Sequence, residues 1–110
     1  MRKLVFTLML AIVPFLMNAN NTEPNDEYTT SGRQVKKVSY YDNGNIKEVG
    51  YFFKEKLDGQ WLSYDENGKI KTIAYYKDGK KDGIWTFFKS DEVFTVEYLN
   101  NKIVNTVAIR

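Results

Sequence analysis

Trp61-Leu62-Ser63-Tyr64-Asp65-Glu66-Asn67-Gly68-Lys69-Ile70-Lys71-Thr72-Ile73-Ala74-Tyr75-Tyr76, followed by Lys77-Asp78-Gly79-Lys80-Lys81-Asp82-Gly83 and a second tryptophan at Trp85, decides the fold. Aromatic and β-branched side chains fill Trp61–Tyr64 and Lys69–Tyr76, as they do in strands. Asp65-Glu66-Asn67-Gly68 suits a type I turn that closes on a glycine in the left-handed region, a common three-residue hairpin loop. Pairing across that loop predicts Asp65 opposite Lys69, Tyr64 opposite Ile70, Leu62 opposite Thr72 and Trp61 opposite Ile73. Lys77–Gly83 reads as a longer connection to the next strand at Trp85. Helix is excluded because glycines recur too often and no stretch beyond the N-terminus keeps a 3.6-residue period.

Working outward, residues 40–63 superimpose on residues 64–87, with ten of 24 positions identical. The pairs are Tyr40/Tyr64, Asn43/Asn67, Gly44/Gly68, Ile46/Ile70, Lys47/Lys71, Tyr51/Tyr75, Lys56/Lys80, Asp58/Asp82, Gly59/Gly83 and Trp61/Trp85. A weaker third copy, one residue shorter at its first turn, places Phe88 with Tyr64, Val93 with Ile70, Val96 with Ile73 and Tyr98 with Tyr75. Self-similarity at a short fixed period marks a stacked array. The expected fold is all-β: an antiparallel hairpin meander of about three 23–24-residue repeats with six or seven short strands.

The predicted pairing sorts side chains onto two faces. One carries Val49, Tyr51, Trp61, Ile73, Tyr75, Trp85, Val96 and Tyr98. The other carries Ile46, Phe52, Leu62, Tyr64, Ile70, Tyr76, Phe88, Val93 and Leu99. Both are apolar, whereas an isolated antiparallel sheet usually has one wet face. Sheet curvature, a second copy or a partner must cover the surplus.

Composition narrows the functions. The chain has 110 residues, 43% hydrophobic and 27% charged, which suits one small domain. Its aromatic content is 15%, and it has no cysteine and no histidine. That removes Ser-His-Asp and Cys-His nucleophile systems, disulfide frameworks and Cys/His zinc sites. No glycine-rich phosphate loop is present. A domain this small has little depth for a pocket holding paired carboxylates. A non-enzyme without cofactors is expected.

The N-terminus reads as a secretory signal over residues 1–19. Arg2 and Lys3 precede an apolar run from Leu4 to Met17, and Ala19 is a candidate cleavage residue. The run has 14 residues, short of the roughly 20 needed to span a bilayer as a helix. An uncleaved anchor or a buried helix is the alternative. Residues 20–33 are polar and read as a flexible linker, leaving 34–110 as the repeat domain. Export to the periplasm or medium is the expected localisation. Removing residues 1–19 takes away two cations and no anions, so the remainder carries 14 Lys+Arg against 14 Asp+Glu. A nucleic-acid partner needs surplus cations, so none is expected.

The unit Trp-x-x-Tyr-x-x-x-Gly-x-Ile-Lys-x-x-x-Tyr-x-x-Asp-Gly-Lys-x-Asp-Gly-x-Trp over residues 61–85 resembles the MORN-variant repeat, a subgroup common in bacterial proteins labelled YwqK-type antitoxins. The likeness runs from residue 38 to about 104. The first copy departs at Glu55, where Gly79 stands in the second, and the third lacks the Asn-Gly turn. The resemblance implies a β-hairpin array that mediates protein association, with membrane-lipid contact a further possibility. It also implies toxin neutralisation as an alternative role, which fits an export signal best as an immunity protein in the envelope.

Trp61, Trp85, Tyr51, Tyr75 and Tyr98 are the candidate binding residues, as a ledge for a partner's apolar side chain or for a sugar ring. Repeat-locked aromatics more often fill space between hairpins, so core packing is their other reading. Gly44, Gly68, Gly59 and Gly83 read as structural turn positions. Asp58-Gly59 and Asp82-Gly83 do not make a metal site, because calcium loops need several carboxylates converging within one loop. The expected partner is a protein or a second copy of the chain.

Overall fold

The structure is a computed structural model that describes residues 26–109. The expected signal peptide at 1–19 and residues 20–25 of the expected linker lie outside the described residues. Ten strands follow in order: β1 Glu27–Ser31, β2 Gln34–Tyr40, β3 Ile46–Phe53, β4 Lys56–Leu57, β5 Gly59–Tyr64, β6 Ile70–Lys77, β7 Lys80–Lys81, β8 Gly83–Lys89, β9 Glu92–Leu99 and β10 Lys102–Ala108. All belong to one antiparallel sheet ordered β1-β2-β3-β5-β6-β8-β9-β10, with β4 paired to β3 and β7 to β6. The all-β hairpin meander expected from the repeat is the fold.

The linker ends earlier than expected. Residues 27–31 pair along their whole length with β2, from Glu27 opposite Val38 to Ser31 opposite Gln34. Tyr28, Thr29 and Thr30 have strand chemistry, and Gly32 at φ 63° turns the chain between β1 and β2. Main-chain pairing holds this edge even though the side chains of β1 are exposed.

The Asn-Gly loops form as their sequence demands. The Gly68 N–H donates to the Asp65 carbonyl at 3.0 Å and the Asp65 N–H to the Lys69 carbonyl at 2.8 Å. The Asp65 Oδ1 accepts from the Asn67 and Lys69 N–H groups at 2.9 and 3.0 Å. The Tyr41–Asn45 loop repeats this geometry, with the Gly44 N–H donating to Tyr41 at 2.9 Å. Gly44 and Gly68 sit at φ 93° and 89°, a region that costs a residue with a β-carbon.

One residue beyond each loop the register departs from expectation. Tyr64 pairs Ile70, but Ser63 pairs Thr72, so β6 holds an extra residue opposite β5. A matching shift separates Ser39 from Tyr40 against β3. These β-bulges move the remaining pairing by one residue, and a one-residue slip changes faces. Leu62 therefore lies opposite Ile73 rather than Thr72, and Trp61 opposite Ala74 rather than Ile73.

The third hairpin has no bulge and only a two-residue turn, with Lys89 opposite Glu92 and Phe87 opposite Phe94. It is thus two residues shorter, not one. Trp85 opposes Val96 as Trp61 opposes Ala74, and Gly83 opposes Tyr98 as Gly59 opposes Tyr76. Val96 and Tyr98 continue the Ala74 and Tyr76 positions instead of Ile73 and Tyr75.

The connection at Lys77–Gly83 is a tight hairpin followed by a bulge, not a loop. Asp78 and Gly79 turn the chain at φ 54° and 81°, Lys77 pairs Lys80, and the Asp82 N–H donates to the Tyr75 carbonyl at 3.0 Å. Lys54-Glu55 and Asp58 repeat the pattern against Tyr51. Gly59 and Gly83, at φ 99° and 104°, carry the chain out of each bulge.

Candidate interaction faces

The observed register redistributes the candidate residues. Trp61, Trp85 and Tyr98 share one face with Phe52, Ala74, Tyr76, Phe87, Phe94 and Val96, as alternation along the paired strands requires. Tyr51 and Tyr75 lie on the opposite face, so the five do not form one ledge. The bulges are the cause.

On the first face the aromatic rings make a continuous stripe. Ring centroids are 6.1 Å apart for Phe52–Trp61, 6.4 Å for Trp61–Tyr76, 5.3 Å for Tyr76–Trp85 and 5.0 Å for Trp85–Tyr98. The first two pairs are edge-to-face at 86° and 80°, the geometry the ring quadrupoles favour. Lys81 Nζ lies 5.2 Å from the Trp85 ring centroid and 5.0 Å from that of Tyr98. The Trp85 Nε1–H donates to the Tyr75 carbonyl at 2.9 Å, satisfying the one polar atom of the indole. Every buried residue described, namely Ser39, Gly50, Ala74, Trp85 and Val96, is on this aromatic face. Trp85 is 7% exposed, and a sugar ring needs an open indole face, so Trp85 has core geometry. Trp61 is half-buried.

The opposite face is different. A line of direct cross-strand pairs runs across eight strands through Glu27, Val38, Val49, Leu62, Ile73, Thr86, Thr95 and Val107. None of these residues is buried. Tyr75, Ile84 and Leu99, on the same face, are 38%, 53% and 58% exposed. No second layer covers this row among the described residues. Sequence reasoning placed Leu62 and Ile73 on opposite faces and so missed the row. The pattern that carries it, an apolar residue or threonine at each position from Val38 to Val107, becomes visible only once the bulges are in place.

Adjacent hairpins are stitched by hydrogen bonds at both ends of the strands. Tyr41 Oη donates to the Tyr64 carbonyl at 2.7 Å, and the Asn43 and Asn45 amides to the Glu66 carbonyl at 2.9 and 2.8 Å. At the other end the Gly79 N–H donates to Leu57 and the Asn101 N–H to Lys81, at 2.8 and 2.9 Å. Such neighbour-to-neighbour contact is how a repeat array acquires its stiffness.

Residues 34–54 and 57–78 each match the family described as MORN repeat variant. Each match covers one Asn-Gly hairpin, β2–β3 and then β5–β6, and ends on the first residue of the tight turn that follows. The β8–β9 hairpin, two residues shorter, falls outside both matches. No curated protein and no solved structure matches the chain. Over these two stretches the chain is similar to the MORN repeat variant, a family of repeat modules that are generally non-catalytic.

Proposed function

We propose that this protein is an exported, non-catalytic module that binds another protein, or itself, through the aliphatic face of its sheet. The observation that carries this reading is the unbroken row from Val38 to Val107, apolar or threonine at every strand and buried at none. This half-buried row, extended by the exposed Tyr75, Ile84, Leu99 and Val107, is contiguous apolar surface of the kind that marks interaction sites. The aromatic stripe serves the fold, and the surface for a partner moves from it to the aliphatic face. Export is supported by the charged start and apolar run of residues 1–19. Neutralisation of a toxin is one form such binding takes.

The test compares the wild-type protein with a Leu62→Lys/Ile73→Lys variant as immobilised bait for envelope and culture-fluid proteins. A specific partner retained by the wild type and lost by a variant with an unchanged melting transition supports the reading. Equal retention by both rejects it. N-terminal sequencing of the protein recovered from cells tests export, with a start near Asn20 expected and an intact Met1 overturning it.

A further inference from the structure

The aliphatic row also divides the charge of the sheet. On the side of the Asn-Gly loops (residues 26, 39–48, 63–72, 87–94 and 108–109) stand seven acids and four bases, a net charge of −3. On the side of the tight turns (residues 28–37, 50–61, 74–85 and 96–106) stand nine bases and five acids, net +4, with Lys37 and Lys81 among them on the aromatic face. Glu27 is the one charged residue on the row itself. The basic residues are therefore concentrated on the side of the tight turns.

Resting on the reading that this face binds protein, we infer that its occupant is a second copy of the chain, stacked face to face about a two-fold axis that runs along the aliphatic row. That rotation keeps the strand order and reverses the strand direction. Leu62 and Ile73 meet their own counterparts at the centre, and the acidic side of each copy lies over the basic side of the other. The competing two-fold, with its axis along the strands, sets acidic side on acidic side and basic side on basic side. Opposite signs across an interface fix orientation and like signs oppose it. The contact is isologous, as closed dimers require. Two sheets packed in this way lie about 10 Å apart with strands within about 30° of each other. Glu27, held by the Tyr40 hydroxyl at 2.9 Å, and Val107 are left at the rim. The longer extents of the molecule, 43 and 34 Å, give the face room for the roughly 800 Å² per partner of a standard interface.

The chain has no cysteine, so single cysteines report the geometry cleanly. Glu66→Cys marks the acidic side and Lys77→Cys the basic side. The two variants, mixed and allowed to exchange, are treated with a bismaleimide of about 10 Å reach. Cross-linked dimer from the mixture at several times the yield of either variant alone is expected. Sedimentation velocity is expected to show a dimer that weakens with added salt and that the Leu62→Lys/Ile73→Lys variant abolishes. Equal cross-linking by each variant alone overturns the proposal, as does a dimer that survives the lysine pair. A monomer at every concentration also overturns it. If that monomer still retains a different protein through Leu62 and Ile73, the binding reading stands and only the second copy falls. With neither self-association nor retention, both fall.

Discussion

The six-membered ring of Trp61 occupies the space a β-carbon would take at Gly50, with Cε3 and Cζ3 nearest that position. Gly50 is buried in β3 with an ordinary extended backbone, so the requirement is for room and not for an unusual φ. Gly50→Ala forces the indole out of the aromatic stripe. Overpacking of this kind costs about 1–3 kcal/mol, and each kcal/mol lowers the melting temperature of a domain this size by about 4–8 °C. A melting curve within 2 °C of wild type, on the scale of that conversion, contradicts the contact.

Lys54 and Glu55 turn the chain at φ 50° and 68°. The equivalent turns use Asp78-Gly79 and Asn100-Asn101, residue types that tolerate the left-handed region. Left-handed geometry costs other residues roughly 1–2 kcal/mol each, and glycine's extra freedom in the unfolded chain returns part of that. Lys54→Asn/Glu55→Gly is expected to stabilise the protein by about 1 kcal/mol net. Denaturant titration measures this as a higher midpoint with an unchanged slope.

Lys71 sits where β6 carries its extra residue, between Ile70 and Thr72 opposite Ser63 and Tyr64. Deleting it converts the bulge into regular pairing of the kind β8 and β9 already have. Trp61 stays opposite Ala74. Stability is expected to change by less than about 1 kcal/mol. Deleting Ala74 instead, in the regular part of the strand, sends Tyr75 and Tyr76 to the wrong faces and is expected to abolish the cooperative transition. Circular dichroism melts of the two deletions distinguish the cases. Similar melts contradict the assigned register.

The same bulges set the limit of what the sequence discloses. The 24-residue period, the Asn-Gly loops and the all-β architecture rest on local chemistry: glycine at positive φ, aspartate accepting from its own turn, aromatics in short runs. All of these are legible residue by residue. Which face Tyr51 and Tyr75 occupy depends on two inserted residues, one of them at Lys71, that no local propensity marks. A lysine suits a solvated strand as well as a bulge. β1 was hidden for a related reason: its exposed side chains leave no burial pattern, and its main-chain pairing with β2 is what places it in the sheet.

Tyr76 links the aromatic stripe to pH. Burial raises its phenol above the usual tyrosine value, and the charge of Glu48 and then the proximity of Tyr98 push the same way. The folded state therefore holds this proton more tightly than the unfolded chain, whose tyrosines titrate near 10. Below that pH both states are protonated and the contribution is fully present. As pH rises from about 10 through the folded value, the unfolded chain loses its proton first and stability falls. Tyr76→Phe keeps the ring between Trp61 and Trp85 and removes the ionisation. Its melting temperature is expected to match wild type closely at pH 8 and to fall less steeply as pH rises above about 10. Parallel losses in the two proteins over that range place the phenol outside the folded stripe.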